Sequence, residues 1–358
     1  MKKILAIAMI CMAFGALGQT TTKLEAGKSN EYGLIYSLPK TVIDIVVETE
    51  TTERAPGEFS NYAHRYLNIT DAVRTPSKTS AVKSITLVPR GVADPDNRWT
   101  MQFKSGATPY IMLNEANVPV ALNTEDIPET EAPALPAPVA AAPTPLETPA
   151  ARQAITQEMS QSASTSKRAE LAAQRIFELR DNRNDLISGQ AENTPPDGRS
   201  LQLALDNLSA QEAALTAMFA GTERRYTEVS TVTFVPTGED VKNQVLGRLS
   251  ATEGIVPADD LSGEPIYLSM HITERGHLPK DDKGEEKKFP KGGVAYNIPG
   301  SAGIVVDFRG QTFADANISI AQLGVTFGLD PRLFTDKKAP AYLLLDPTTG
   351  AITTLGTK

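Results

Sequence analysis

The chain has 358 residues, and 43 acidic against 35 basic side chains give it a formal net charge of −8. This acidic balance disfavours nucleic-acid binding, because contacts with phosphate backbones depend on clustered Lys and Arg. The chain has one cysteine, which excludes an internal disulfide framework and zinc sites built from several cysteines.

Residues 1–18 have the features of a cleavable secretory signal peptide. Lys2 and Lys3 form a short positive region, and an apolar run follows from Ile4 to Leu17. The run is too short to span a bilayer comfortably, which disfavours an uncleaved anchor. We therefore expect cleavage before Gln19 and an exported protein in the periplasm, at the outer membrane or outside the cell. Removal of the two lysines changes the net charge of the mature chain to −10.

Lipidation at Cys11 is an alternative use of this N-terminus. Met9 and Ile10 precede the cysteine where a lipoprotein signal has small residues, and the apolar run continues beyond it. The pattern therefore disfavours lipidation, and cleavage before Gln19 removes Cys11 from the mature protein. No later stretch is apolar enough to predict a transmembrane span after cleavage.

Residues 19–123 are predicted to form an N-terminal β-rich domain. A β-branched run covers residues 42–47, and apolar and polar residues alternate over residues 82–88 and 99–103. Between the first two runs, aromatic residues at helical spacing within residues 56–67 predict one or two helical turns.

Residues 124–165 differ sharply in composition. Seven prolines lie among alanines between positions 125 and 151, and no aromatic residue occurs between Tyr110 and Phe177. Such a segment buries too little apolar surface to offset the entropy of ordering it. It is predicted to be an extended, flexible linker.

Residues 166–226 are predicted to form an antiparallel helical hairpin of coiled-coil type. Each half carries an apolar stripe at helical spacing, Gly189 is a suitable helix stop, and residues 194–198 supply a turn. Residues 227–358 return to short β-type runs separated by turn residues. The predicted fold class is α+β, with mostly antiparallel, sandwich-like or barrel-like β domains and an inserted long helical hairpin.

The chemistry of the chain offers few candidate sites. Asp259, Asp260 and Glu264 form the candidate carboxylate cluster, and His271 follows on a predicted strand. A calcium site or a glycan site is one interpretation of this group, whereas turn formation and capping is the other. No nucleotide-binding loop, serine-hydrolase elbow or metal-ligand spacing occurs, so we assign no catalytic residue, metal ligand or cofactor.

The predicted hairpin also has two interpretations. Its apolar stripes are wide enough for the two helices to bury each other, which would make it a core element. Alternatively its charged outer face docks a partner protein of the cell envelope. The candidate docking residues are Arg175, Arg180, Arg183 and Arg199.

Six segments spread along the chain carry a resemblance to a known family: Tyr36–Val42, Pro56–Leu67, Ala173–Arg180, Ala258–Pro265, Ala321–Gly324 and Asp346–Gly350. They resemble a family of uncharacterised exported proteins of Gram-negative anaerobes, defined only as a domain of unknown function. The likeness covers nearly the whole mature chain, and the alanine-proline segment is an addition to it. It implies export and one shared architecture, and it implies no activity or catalytic residue.

These observations favour a non-enzymatic scaffold or binding protein of the cell envelope, which contacts other proteins through its β domains and a protruding helical hairpin. The alternative is a carbohydrate- or calcium-dependent binding protein, or a glycan-active enzyme, centred on the loop from Asp259 to Glu264.

Overall fold

The structure is a computed structural model. It describes residues 33–102, 111–125, 127, 134–193, 195, 197–290, 293–334 and 340–357. The predicted signal peptide and its cleavage site lie outside the described residues. Within them the chain forms a mostly antiparallel β structure, and two long helices lie between its earlier and later strands.

The elements follow one another along the chain. In order they are β1 (Gly33–Ala55), α1 (Ala63–Leu67), β2 (Ser77–Gln102), β3 (Ile111–Leu113), β4 (Pro119–Leu122), α2 (Pro149–Ala154), α3 (Gln157–Gln161), α4 (Thr165–Ser188), α5 (Gly198–Ala220), β5 (Thr222–Phe234), β6 (Val241–Ser250), β7 (Gly254–Val256), β8 (Glu264–Glu274), β9 (Val294–Phe308), β10 (Gln311–Leu329), β11 (Ala341–Leu345) and β12 (Ile352–Thr357). The helical turns predicted within residues 56–67 are present as a 3-10 turn over Ser60–Tyr62 followed by α1.

The described strands form three antiparallel sheets. Their strand orders are β2-β1-β5, β10-β9-β8-β6-β7 and β12-β11-β4-β3. Two of these sheets combine strands from both predicted β regions, because β5 pairs with β1 and β11 pairs with β4. The earlier and later β regions therefore complete each other's sheets.

The largest core lies between the three-stranded and five-stranded sheets. Alternate residues of β1 point into it, as the period-2 geometry of a strand requires, and they meet apolar residues of β8, β9 and β10. Its buried side chains include Ile43, Ile45, Val47, Leu268, Met270, Ile304, Val306 and Ile320. A second core joins β1, β9 and the four-stranded sheet around Leu38, Leu122 and Leu343.

A third core packs the helices against the connection between β1 and β2. The Phe59 ring packs at a tilt against Phe219 of α5, with 5.3 Å between ring centroids, and its backbone N–H donates to the carbonyl of Met218. α4 contributes its buried stripe, including Ile176 and Leu179. The helical hairpin is therefore fixed at its base to the end of the long β1–β2 ribbon.

The ends of the two long helices have clear local causes. The Ser164 side chain accepts from the N–H of Lys167 at the start of α4, and Asp197 accepts from Ser200 at the start of α5. Gly189 ends α4 in the left-handed conformation, at φ 75°, that glycine adopts without a steric penalty. The predicted stop at Gly189 is confirmed.

Part of the predicted linker is helical. α2 and α3 occupy residues 149–161, and the side chains of Ala150, Ala154 and Met159 are buried. Ala154 and Met159 belong to the helical core, where they contact the apolar face of the hairpin. The extended linker expected for residues 124–165 therefore differs from the structure here, because alanine and methionine gain burial from neighbours that are distant in sequence.

Candidate interaction site

The acidic loop between β7 and β8 uses its carboxylates locally. Asp260 accepts a hydrogen bond from the N–H of Ser262 at 2.9 Å, and this bond keeps the pKa of Asp260 below its usual value. Glu264 accepts two hydrogen bonds from Arg309, at 2.5 and 2.6 Å, which likewise lower the pKa of Glu264. Asp259 is exposed beside them. The loop therefore has the hydrogen bonds of a capped turn and a surface ion pair.

His271 lies away from this loop. It follows Glu264 by seven residues along β8, which is about 23 Å at 3.3 Å per residue. Its Nδ1 lies 2.8 Å from Asp240, and Asp240 also accepts from the N–H of Ile272. That backbone hydrogen bond is the main cause of the lowered pKa of Asp240. The partner Asp240 is 31 residues from His271, and no sequence spacing indicated it.

Within the described part of the chain, no group of three or more His, Cys, Asp or Glu side chains has an arrangement that could hold a metal ion. The structure thus does not bring Asp259, Asp260, Glu264 and His271 into one site.

Three of the four candidate docking arginines form ion pairs within the hairpin. Arg180 and Arg183 both bind Glu212 across the two helices, at 2.6 and 2.5 Å. Arg175 pairs with Glu178 on its own helix at 3.0 Å. The fourth, Arg199, is exposed at the start of α5. Sequence reasoning missed Glu212, although an acidic residue opposite two arginines is a usual feature of paired helices.

The far half of the hairpin contributes no buried residue to the helical core among the described residues, although Leu208 packs half-buried against it. The fully buried residues of α4 end at Leu179, and those of α5 begin at Ala214. We call residues 180–188 and 198–213 the projecting half. It carries two large apolar side chains that are strongly exposed, Ile187 at 67% and Leu203 at 70%. Scattered exposed apolar residues are normal, but these two lie within two turns of the same helical connection.

A second open surface lies between β5 and β6. β5 is the edge strand of its sheet, and beside it a groove of about 410 Å³ is lined by Val232–Val235, Thr237, Val241 and Gln244–Leu246. Farther along the same edge, Val139 forms an isolated antiparallel bridge with Thr227. An extended segment of the chain therefore contacts this edge at Thr227, and the described strands leave the edge unpaired beyond that bridge.

The residues that carry the family resemblance near the C-terminus form a polar network inside the fold. The side chain of Gln322 accepts from the N–H of Thr41 at 2.8 Å and donates to the Thr41 carbonyl at 2.7 Å. The Thr41 hydroxyl donates to the carbonyl of Thr348 and accepts from the N–H of Ala321. These bonds fix β1 to an irregular segment of β10 and to the β11–β12 turn.

The same turn is held by its own acidic residue. Asp346 accepts from the backbone N–H groups of Thr348 and Thr349 and from the Thr349 hydroxyl. Asn297 of β9 then donates to the carbonyls of Pro39 and Thr349. The motif around Asp346 thus has a structural role at a junction of four strands.

Comparisons with known proteins give one match. The family model described as "Domain of unknown function (DUF4831)" matches residues 32–353. No curated protein and no solved structure matches the chain. In the described residues, no helix has the length and apolar character that crossing a membrane requires.

Proposed function

Because the chain belongs to the DUF4831 family, whose domain has no assigned function, we propose a function from the surfaces of this protein itself. It is an exported, non-enzymatic scaffold or binding protein of the cell envelope. It contacts a partner protein through the projecting half of its helical hairpin.

The observation that carries this proposal is the division of the hairpin into an anchored base and an exposed end. The base contributes Ile176, Leu179 and Phe219 to the helical core. The end exposes Ile187 and Leu203, whose burial against a partner would each contribute about 1.5–3 kcal/mol. A rigid base with an apolar end is the arrangement by which helices dock into grooves on other proteins.

The charges of the projecting half define the chemistry of the partner. Asp181, Asp185 and Asp206 are exposed there together with Arg199, whereas Arg180 and Arg183 are already bound to Glu212, so exposed acidic groups outnumber exposed basic ones. An apolar surface flanked by basic side chains is the complementary partner, because charge complementarity guides association. Two of the four candidate docking arginines, Arg180 and Arg183, bind across the two helices, whereas Arg199 stays exposed in the projecting half.

The carbohydrate- or calcium-dependent alternative has less support. Asp260 and Glu264 already accept hydrogen bonds from Ser262 and Arg309, so a ligand would have to share these carboxylates with existing partners.

The test is photo-cross-linking in intact cells of the native host, followed by purification of the full-length protein. Three forms are compared: the wild type, the double variant Ile187→Glu/Leu203→Glu, and the control Leu261→Glu. Leu261 is also strongly exposed, but it lies in the β7–β8 loop. The proposal predicts a specific cross-linked partner for the wild type and the control and its loss from the double variant.

Retention of every cross-linked partner by the double variant would overturn the hairpin as the contact site. Mass spectrometry of the same purified protein tests export, because the mature N-terminus should be Gln19. An intact N-terminal Met1 on the native protein in the cytosol would overturn the exported location.

A further inference from the structure

The open edge of β5 carries an inference that is independent of the hairpin. β5 pairs with β1 on one side in an unbroken register from Ile43–Phe234 to Ala55–Thr222. On its other side, Thr227 and Val139 exchange two backbone hydrogen bonds, at 3.1 and 3.0 Å, in an antiparallel bridge. The Thr227 hydroxyl also accepts from the N–H of Val139.

This bridge fixes which residues of β5 face outward. In an antiparallel strand the N–H and C=O groups of alternate residues point to the same side. Since the β1–β5 register contains no bulge, Val229 and Thr231 direct their backbone groups outward as Thr227 does. The carbonyl of Glu228 points toward β1, where it accepts from the Thr49 hydroxyl, as this alternation requires.

The sequence before Val139 matches that edge. Continued antiparallel pairing places Ala137 opposite Val229 and Leu135 opposite Thr231, and both residues have the backbone N–H that the pairing needs. Pro136 and Pro138 occupy the alternate positions, whose backbone faces away from β5. Their missing N–H groups therefore cost nothing in pairing with β5.

The prolines have a second consequence. A strand with prolines on its outer side presents too few donors for another strand to pair with it, and natural proteins use this feature to protect sheet edges. β5 itself has the β-branched composition that makes an uncovered edge prone to association. Leu135 and Val139, at 55% and 59% exposed, would gain cross-strand neighbours on the sheet.

In this structure residues 134–138 lie outside any strand, and Val139–Thr227 is the pair that is formed. We propose that residues Ala134–Val139 close onto the edge of β5 as the outermost strand of the three-stranded sheet, by extending that bridge to Ala137–Val229 and Leu135–Thr231. The alanine-proline segment then closes the edge of β5 against other chains. This assigns a defined partner, the protein's own segment, to the open strand edge.

Disulfide trapping tests the register directly. Cys11 is the single cysteine, so the full-length chain with Cys11→Ser gives a clean background. In the proposed pairing the Cα atoms of Ala137 and Val229 lie about 5.5 Å apart, within the range of a disulfide. The variant Ala137→Cys/Val229→Cys should form an intramolecular disulfide under mild oxidation.

The matched control is Ala137→Cys/Thr233→Cys, in which the second cysteine is four residues, or about 13 Å, farther along the same strand. Disulfide formation about tenfold faster, or more, in Ala137→Cys/Val229→Cys than in the control supports the proposal. Equal rates in the two variants overturn it. The absence of a disulfide in Ala137→Cys/Val229→Cys, when its circular dichroism matches that of the wild type, also overturns it. A disulfide dimer of Val229→Cys alone would also overturn it, because the edge would then pair with a second copy.

Amide hydrogen exchange of the wild-type protein provides a second test, which needs no engineered cysteine. Slow exchange of the Val229 and Thr231 amides is expected, with loss of protection when Ala137→Pro removes the N–H of the central pair. Rapid exchange of both amides in the unmodified chain would contradict the proposal.

Discussion

Asn297 of β9 lies where this strand meets β1 and the β11–β12 turn, and its side chain bonds to both of them. Its amide donates to two carbonyls, and its oxygen accepts from the Thr326 hydroxyl. Gln322 makes a similar two-way contact with Thr41. Buried polar groups of this kind are costly unless they are fully bonded, so they specify a single arrangement of the strands. The motifs around these residues therefore reflect the fold rather than a reaction.

Gly324 belongs to the same junction. A Cβ atom at this position would lie 1.9 Å from the carbonyl oxygen of Ile298, a distance that no side chain can occupy. The sequence indicated these residues as a recurring motif, but it could not separate a structural role from a binding role. That distinction depends on the strands that the fold brings together from about 280 positions apart.

Tyr36 allows a prediction at the scale of one residue. Its buried hydroxyl accepts from the N–H of Ala295 at 2.8 Å and donates to the Ala295 carbonyl. Burial raises the pKa of Tyr36 above its ordinary value near 10. The protonated phenol therefore contributes stability that is fully present below about pH 10 and is lost as pH rises toward the folded-state pKa.

At neutral pH, Tyr36→Phe should lower the free energy of unfolding by about 1–3 kcal/mol, because a buried N–H loses its partner. Above about pH 10 the difference from the wild type should shrink. Urea denaturation between pH 7 and pH 11 measures both effects, with Tyr267→Phe at a half-exposed position as the control. A difference that stays constant across this range would contradict the explanation.

At the scale of elements, local patterns predicted the long helices well and the alanine-proline segment poorly. The stop at Gly189 was predicted from a local signal and is present, and the structure adds side-chain caps at Ser164 and Asp197. α2 and α3 form because Ala154 and Met159 pack on partners that are distant in sequence, and composition alone carries no such information. For the candidate site, the arginines were visible in the sequence, but their partner Glu212 required the packing of two helices.

The hairpin has a buried base and an exposed end, and this difference gives a prediction for two isoleucines on α4. Ile176 is fully buried in the helical core, whereas Ile187 is exposed. Ile176→Ala should lower the free energy of unfolding by about 2–5 kcal/mol through lost burial and a cavity. Ile187→Ala should change it by less than about 0.5 kcal/mol. Urea unfolding of both variants checks this, and equal losses would show that the hairpin has no distinct base.

At the scale of the whole molecule, the earlier and later β regions share their sheets and cores. β5 completes the sheet of β1, and β11 pairs with β4. The main core contains Ile45 from β1 together with Leu268 and Ile304 from β8 and β9. The hairpin connects these two halves of the chain without separating them into independent units.

This sharing predicts how a divided chain behaves. A cut between Glu192 and Asn193, both exposed in the connection between α4 and α5, leaves every sheet and core residue present but places them on two fragments. Residues 19–192 then lack β5 and β11, and residues 193–358 lack β1 and β4, so each fragment exposes apolar surface that the other normally covers.

Neither fragment should show cooperative thermal unfolding alone, whereas a mixture should recover β-type circular dichroism, a single transition and the elution volume of the uncut chain. Cooperative unfolding of either fragment alone would establish an independent β domain. Recovery in the mixture is expected because strand pairing between β1 and β5 runs over 13 residue pairs and continues into a common core, which provides a large interface for reassociation.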